Sequence, residues 1–309
     1  NRWGAGARYG VPSPPPRVAM GLVAKFNLVL LAVFATGFAA SAALSRTLLQ
    51  RSARDDVLSD ARMVMGSALA SRDYTSRHVQ PLLAQLGHDE FRPESVPAFA
   101  ATEQFSELRT AFPDFSYKEA TLNPTNPRDR ASDWEVDIVD RFRQYPGLTE
   151  FVGERQTPTG PSLYLGKPIT VRDPGCLACH STVEAAPEAM IRRYGPANGF
   201  DWHLNETVGA QIVSVPMTLP MGRANATFRT FLATLAAIFA VVFVVVNAML
   251  MAIVVRPVTR LAAIADAVSL GKIDGPDFVP KGSDEVARLA QSFNRMKKSV
   301  VHAIRMLSE

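Results

Sequence analysis

Two charge-free stretches divide the chain. Phe26 to Ser45 lies between Lys25 and Arg46, and Thr230 to Val255 lies between Arg229 and Arg256. An α-helix needs about 20 apolar residues to cross the hydrocarbon of a bilayer, so both stretches are predicted transmembrane helices. Asn247, the one strongly polar side chain of the second stretch, is expected to face a neighbouring helix rather than lipid. Ala40-Ser41-Ala42 has the small residues of a signal-peptidase site. The long tail before it, with Pro12, Pro14, Pro15 and Pro16, and the length of the apolar run predict an uncleaved anchor instead.

Between the two spans the periodicity changes several times. Leu48 to Leu86 reads as one long helix, with Val57, Ala61, Val64 and Ala68 at helical spacing. A second helix is predicted over Ser95 to Phe112 and a strand over Phe115 to Leu122. Asn123-Pro124-Thr125-Asn126-Pro127 is a turn-rich loop, and Trp134 to Tyr145 fits a short amphipathic helix. Strands are predicted near Leu148 to Glu154, Ser162 to Val171 and Gly209 to Met217. Helices followed by a small antiparallel sheet define an α+β pattern.

After the second span the period is that of heptads. Pro257, Leu261, Ile264 and Val268 form one seam; Val286, Leu289, Phe293, Met296 and Val300 form another. Both seams want partner helices. Gly271 to Gly282 is the connector, with Ile273, Phe278 and Val279 as apolar anchors. Ser283 is expected to cap the second helix, with Asp284 and Glu285 at its positive end.

Charge supplies the orientation. The chain has 309 residues, 47% of them apolar, and a formal net charge of +4. Residues 1–25 carry Arg2, Arg8, Arg17 and Lys25 and no acid, and Arg256 and Arg260 follow the second span. The region between the spans carries more acids than bases. The positive-inside rule places both termini in the cytoplasm and the region between the spans outside. No basic cluster is interleaved with aromatics, so a nucleic-acid partner is not expected.

The chemistry concentrates in Cys176-Leu177-Ala178-Cys179-His180, which holds the chain's only two cysteines. Two thiols three apart, with an imidazole next to them, read as covalent attachment of haem c, His180 being the proximal iron ligand. A dithiol redox pair would be expected beside a βαβ pattern, and none is evident. A zinc site using His180 or His203 would want a second well-spaced ligand pair.

The residues around this motif carry a resemblance. Ala186-Pro187, Tyr194-Gly195, Asn198-Gly199-Phe200 and Gly209 to Pro216, with the earlier Val79-Gln80-Pro81-Leu82-Leu83 and Asn123 to Pro127, resemble a family of periplasmic haem c sensor domains with a PAS-like fold. The resemblance implies haem in the PAS-like pocket, where a change of ligation or redox state is sensed. Some relatives use a further cysteine as sixth iron ligand, which this chain lacks. His78 is then the candidate, with His203, Met63 or Met65 as alternatives. Arg128, Arg130, Arg192 and Arg193 are candidates for the haem propionates. The helices after the second span, with Asp284-Glu285-Val286-Ala287-Arg288-Leu289 and Phe293-Asn294-Arg295-Met296, resemble a HAMP domain. That resemblance implies a homodimeric parallel four-helix bundle.

The expected organisation is a cytoplasmic tail (1–25), a first span (26–45), a periplasmic PAS-like haem c domain (46–226), a second span (227–255) and a cytoplasmic HAMP domain (256–309) in a bacterial inner membrane. The expected function is a haem c sensor that registers redox state or a diatomic gas and signals through HAMP to a separate partner protein. An electron-transfer or structural cytochrome c subunit of a larger redox complex is the alternative. No nucleophile–base constellation appears, so an enzyme is not expected.

Overall fold

Alanine and leucine dominate the chain after Gly21, and no proline interrupts it until Pro81, so one helix persists from Leu22 to Tyr74 (α1). The computed structural model describes residues 21–85, 90–272, 277–279 and 282–308. A turn of π-helix, Thr75–Val79, carries α1 into α2 (Gln80–Ala84). Pro81 offers no N–H to Arg77, four residues earlier, and the helix widens where that bond is missing. Contacts divide the chain into Leu44–Arg229 and a second unit made of the segments on either side.

In Leu44–Arg229 the elements follow the order α3 (Pro97–Leu108), β1 (Ser116–Thr121), α4 (Asp133–Gln144), β2 (Phe151–Thr157), β3 (Gly160–Thr170), α5 (Leu177–His180), α6 (Glu188–Tyr194) and β4 (Thr207–Pro216). The four strands form an antiparallel sheet in the order β1-β4-β3-β2. Strand side chains alternate between faces, and the two faces bury different helices. Tyr117, Leu163, Leu165, Val213 and Val215 pack against Val57, Ala61, Val64, Met65 and Ala68 of α1 and Ala101 and Phe105 of α3. Ala120, Ala210 and Ile212 on the other face pack against Ile138, Val139 and Phe142 of α4. Glu135 secures the start of α4, its Oε2 accepting from the Ser132 N–H at 2.8 Å. The result is an α+β domain, as the order of patterns predicts. The strand predicted from Leu148 begins at Phe151 instead, because Tyr145-Pro146-Gly147 turns the chain and the Leu148 N–H donates back to Tyr145 O.

In the flanking unit, α1 meets α7 (Thr218–Met249) through the stacked rings of Phe34 and Phe239, 4.9 Å apart. Both helical stretches, Leu22–Ala84 and Thr218–Ser269, are long and apolar enough to cross a membrane. A second π-helical turn, Leu250–Val255, precedes α8 (Arg256–Ser269). Pro257 explains it, since its missing N–H would have bonded Ile253 inside that turn. In α9 (Glu285–Ser308) the face turned inward is Ala287, Ala290 and Lys297. Asn294 holds the connector by donating to Phe278 O at 2.7 Å and accepting from Phe278 N at 3.2 Å. Ile273 lies outside the described residues, and Val279 is exposed rather than an anchor. The cap of α9 is Asp284, whose Oδ1 accepts from the Ala287 N–H at 2.8 Å, and not Ser283. A carboxylate there satisfies the orphan donor and the helix dipole together, which a hydroxyl one residue earlier does not.

Candidate functional site

The motif loop leaves the sheet at the end of β3 and returns at the start of β4. Its base is pinned by two backbone bonds, Val171 N to Glu206 O at 2.8 Å and Asn205 N to Val171 O at 2.7 Å. Asp173 turns the chain, its Oδ1 accepting from Gly175 N at 2.8 Å, and a 3-10 turn, Pro174–Cys176, leads into α5. A separation of three along a helix places Cys176 and Cys179 on one side of this short helical segment. Both thiols are free, Cys176 exposed and Cys179 half-buried. Cys179 packs beside a small core of Ala186, Met190 and Phe200. Burial pushes both thiols above their ordinary pKa; at Cys176 Asp173 adds to this and the Arg72 charge opposes it.

His180 is more tightly specified. Its Nδ1 lies 2.7 Å from Gly199 O. A carbonyl only accepts, so Nδ1 bears the proton and the Nε2 lone pair is left for a metal. The ring stacks on Trp202, with centroids 4.0 Å apart and planes 12° from parallel. Backbone bonds from Trp202 N to His180 O and from Asp201 N to Ser181 O tie the two segments together. Gly199 makes this possible: its φ is +90°, and a Cβ there would meet Thr125 Oγ1 at 2.0 Å and Thr125 N and Cα at 2.8 Å. Burial lowers the pKa of His180, partly opposed by the Gly199 bond, and so favours the neutral imidazole. An imidazole fixed through its other nitrogen to a backbone carbonyl is the usual arrangement of a metal-ligating histidine.

The other candidates scatter. His78 is exposed on the π-helical turn, its ring 5.1 Å from Tyr74. His203 is 73% exposed, beside Glu206 at 3.6 Å. Met63 is exposed, whereas Met65 is part of the core between α1 and the sheet. Among the described residues, no hydrogen bond or ring contact joins any of the four to His180. Arg130 reaches Asn198, next to Gly199, at 3.3 Å. Arg128 pairs with Glu103, Arg192 with Glu188, and Arg193 lies over the ring of Tyr194. Among the described residues no group of three or more His, Cys, Asp or Glu side chains could hold a metal ion, which leaves the zinc reading without a ligand set.

Two features of the domain carry little signal in the sequence. One is the pairing of Gly199 with Trp202 around His180, signalled only by a glycine and a tryptophan close together. The other is Arg72, a charge on the buried stripe Ala61-Met65-Ala68-Arg72-Thr75 of α1 and the turn after it. Arg72 pairs with the buried Glu119, which also accepts from Tyr117 Oη at 2.8 Å.

A cavity of about 350 Å³ opens between α3, α4 and β1, with Asp129 in its wall. Burial raises the Asp129 carboxyl to about 6, with Arg128 opposing. The folded state therefore binds this proton more tightly than the unfolded chain, and the domain loses stability as pH rises from about 4 to 6. Asp129→Asn is expected to flatten that part of the pH profile and to raise the thermal midpoint at pH 7. An unchanged profile in thermal scans between pH 4 and 7 would contradict it.

Fold and loop together define an α+β domain that carries a Cys-x-x-Cys-His loop at one end of its sheet, between two helices long and apolar enough to span a membrane. The chain belongs to the Tll0287-like family, whose profile matches residues 50–216. Residues 249–302 match the HAMP domain. Among solved structures, the crystal structure of the cyanobacterial heme-protein Tll0287 is similar over 49% of this chain and 94% of that one, at 16% identity and a TM-score of 0.37. A comparison with curated proteins gives no match.

Proposed function

We propose that this protein is a membrane-anchored haem c sensor and not an enzyme. A PAS-like haem domain (46–226) would lie on the periplasmic side of a bacterial inner membrane, between spans at 26–45 and 227–255. A HAMP homodimer (256–309) and the tail (1–25) would lie in the cytoplasm. The observation that carries this reading is His180, held as one tautomer with Nε2 free and set directly after two unpaired thiols on one short helical segment. Cys176 and Cys179 would hold the group through thioethers, and His180 Nε2 would ligate the iron. Covalently held haem supplies an iron whose charge or ligation responds to an electron or a diatomic gas. His78 remains the proposed sixth ligand, on the turn that ends α1.

The protein's own part is to fix the imidazole and to give the signal a helix to act on. Trp202 and Gly199 restrain the ring of His180. α1 is one helix from the first span to the sheet face that it covers. In α9, Leu289 and Met296 are 54% and 56% exposed, on a seam that a second copy would cover. Leu289→Asp or Met296→Asp is expected to weaken dimerisation at least about tenfold, roughly 1.4 kcal/mol. Sedimentation of the detergent-solubilised chain checks this, and an unaltered dimer would contradict it.

The sensing role is tested by cross-linking. With a cysteine introduced by Leu289→Cys, the rate of cross-linking between copies by a bifunctional maleimide, which needs no oxidant, is expected to differ between the oxidised and the reduced protein. Equal rates in both states, with haem bound, would contradict a sensor and favour an electron-carrying subunit.

A further inference from the structure

The sheet face under α1 changes character towards one end. Register aligns Tyr117, Val213 and Leu165 in an apolar row, then Glu119, Gln211 and Lys167 in a polar one, then Thr121, Gly209 and Ile169. The last row lies where β3 runs out into the Cys176–His180 loop. α1 follows the same change: Ala61, Met65 and Ala68 cover the apolar rows, and Arg72 meets the polar one by pairing with Glu119.

A buried ion pair is a poor way to stabilise a fold, because desolvation of the two charges offsets most of their attraction. Glu119 is only 4% exposed, yet α1 places a guanidinium on it and β1 adds the Tyr117 hydroxyl. Burial is the largest single effect on Arg72 and works against its charge, but Glu119 and Tyr117 together outweigh it. β1 runs on past Glu119 and Thr121 into the loop in which Asn123 donates to Phe200 O at 3.5 Å and Thr125 Oγ1 lies 3.5 Å from His180 Nδ1, so the pair sits one row before the segment that meets the motif. One residue of α1, three positions before the π-helical turn, thus links the helix, the sheet end and the motif loop.

We propose that Arg72 is a positioning residue for the haem, setting the charge beside the cofactor from α1 while Glu119 and Tyr117 hold it in place. This rests on the haem reading above and adds to it the residue through which the cofactor and the helix act on each other. A cation near the iron favours the form carrying the extra electron, and a carboxylate disfavours it. Coupling is reciprocal: a residue of α1 that moves the haem equilibrium is itself pulled when the haem gains an electron.

The test is a redox titration of the purified full-length protein and its variants, with covalent haem content measured in parallel. Arg72→Gln is expected to shift the one-electron equilibrium about tenfold towards the oxidised form, a change of 59 mV. Glu119→Gln is expected to shift it in the opposite direction, and the double variant to return towards the parent value. Arg72→Lys, which keeps the charge and loses the planar fork, should stay closer to the parent than Arg72→Gln; it serves if Arg72→Gln does not accumulate. A merely structural pair would lower thermal stability in each single variant without midpoints of opposite sign. Equal midpoints in haem-loaded variants, or shifts of the same sign, overturn the assignment of Arg72 alone. Absence of covalent haem from the parent overturns the haem reading and this inference together.

Discussion

The double substitution Cys176→Ala, Cys179→Ala is expected to abolish every trace of pigment that survives acid–acetone extraction. The chain has no other cysteine, so no second thiol can form a thioether in their place. The effect should be chemical rather than structural. Cys176 is exposed and Cys179 only half-buried, and neither is bonded to the other. Surface changes of this kind usually alter stability by no more than about 0.5 kcal/mol. The variant should therefore accumulate like the parent and differ in colour. Either single substitution leaves one attachment point and should keep extraction-resistant pigment in reduced yield. Extraction-resistant pigment in the double variant, measured per mole of purified chain, would contradict attachment at this loop.

Gly199→Ala is expected to have the largest effect of any single methyl added near the site. A non-glycine residue held at φ near +90° costs about 1–3 kcal/mol in backbone strain alone. Crowding adds to that here, because Thr125 presents backbone atoms at 2.8 Å as well as its hydroxyl. A side-chain hydroxyl can rotate away, but Thr125 N and Cα cannot. The segment must move, and with it the carbonyl that accepts from His180 Nδ1. Loss of such an outer partner usually weakens a metal site by about 10–100-fold. Gly195→Ala is the control, since Gly195 has φ of +81° but nothing within 4 Å of the added methyl. It should lose only the strain. Thermal unfolding of the solubilised chain should therefore rank parent, Gly195→Ala and Gly199→Ala in descending stability. Equal losses in the two variants would show that Thr125 yields and that the carbonyl is not held.

Much of this arrangement was readable from residue patterns, for identifiable reasons. The long apolar helices and the strands each keep one pattern long enough to outweigh local exceptions. Cys176, Cys179 and His180 stand out because their spacing is that of the expected chemistry, and the structure sets the fixed imidazole directly after the two thiols on one short helical segment. Other features depend on pairings that spacing does not encode. Gly199 is nineteen residues from His180, and Thr125 far from both, so their contact exists only once the two loops meet. In the sequence Arg72 is one of several arginines on its helix. Its place on the buried stripe with Ala61, Met65 and Ala68 was a signal, but the partner, Glu119, sits on a strand 47 residues away. The α9 cap lies one residue later than expected: Ser283, Asp284 and Glu285 all suit a helix start, and only the Asp284 bond to Ala287 separates them. His78 sits on the π-helical turn just after α1, and its ring contact is with Tyr74, the last residue of α1.

The account depends most on a porphyrin bonded to this loop. A pyridine haemochrome spectrum of the full-length chain, purified after expression with cytochrome c maturation and denatured before measurement, examines that directly. The account predicts one haem per chain, travelling with the denatured polypeptide and showing the α-band of a haem whose two vinyl groups are both saturated. A colourless chain, or a pigment that separates from it on denaturation and has the spectrum of free haem, would contradict it.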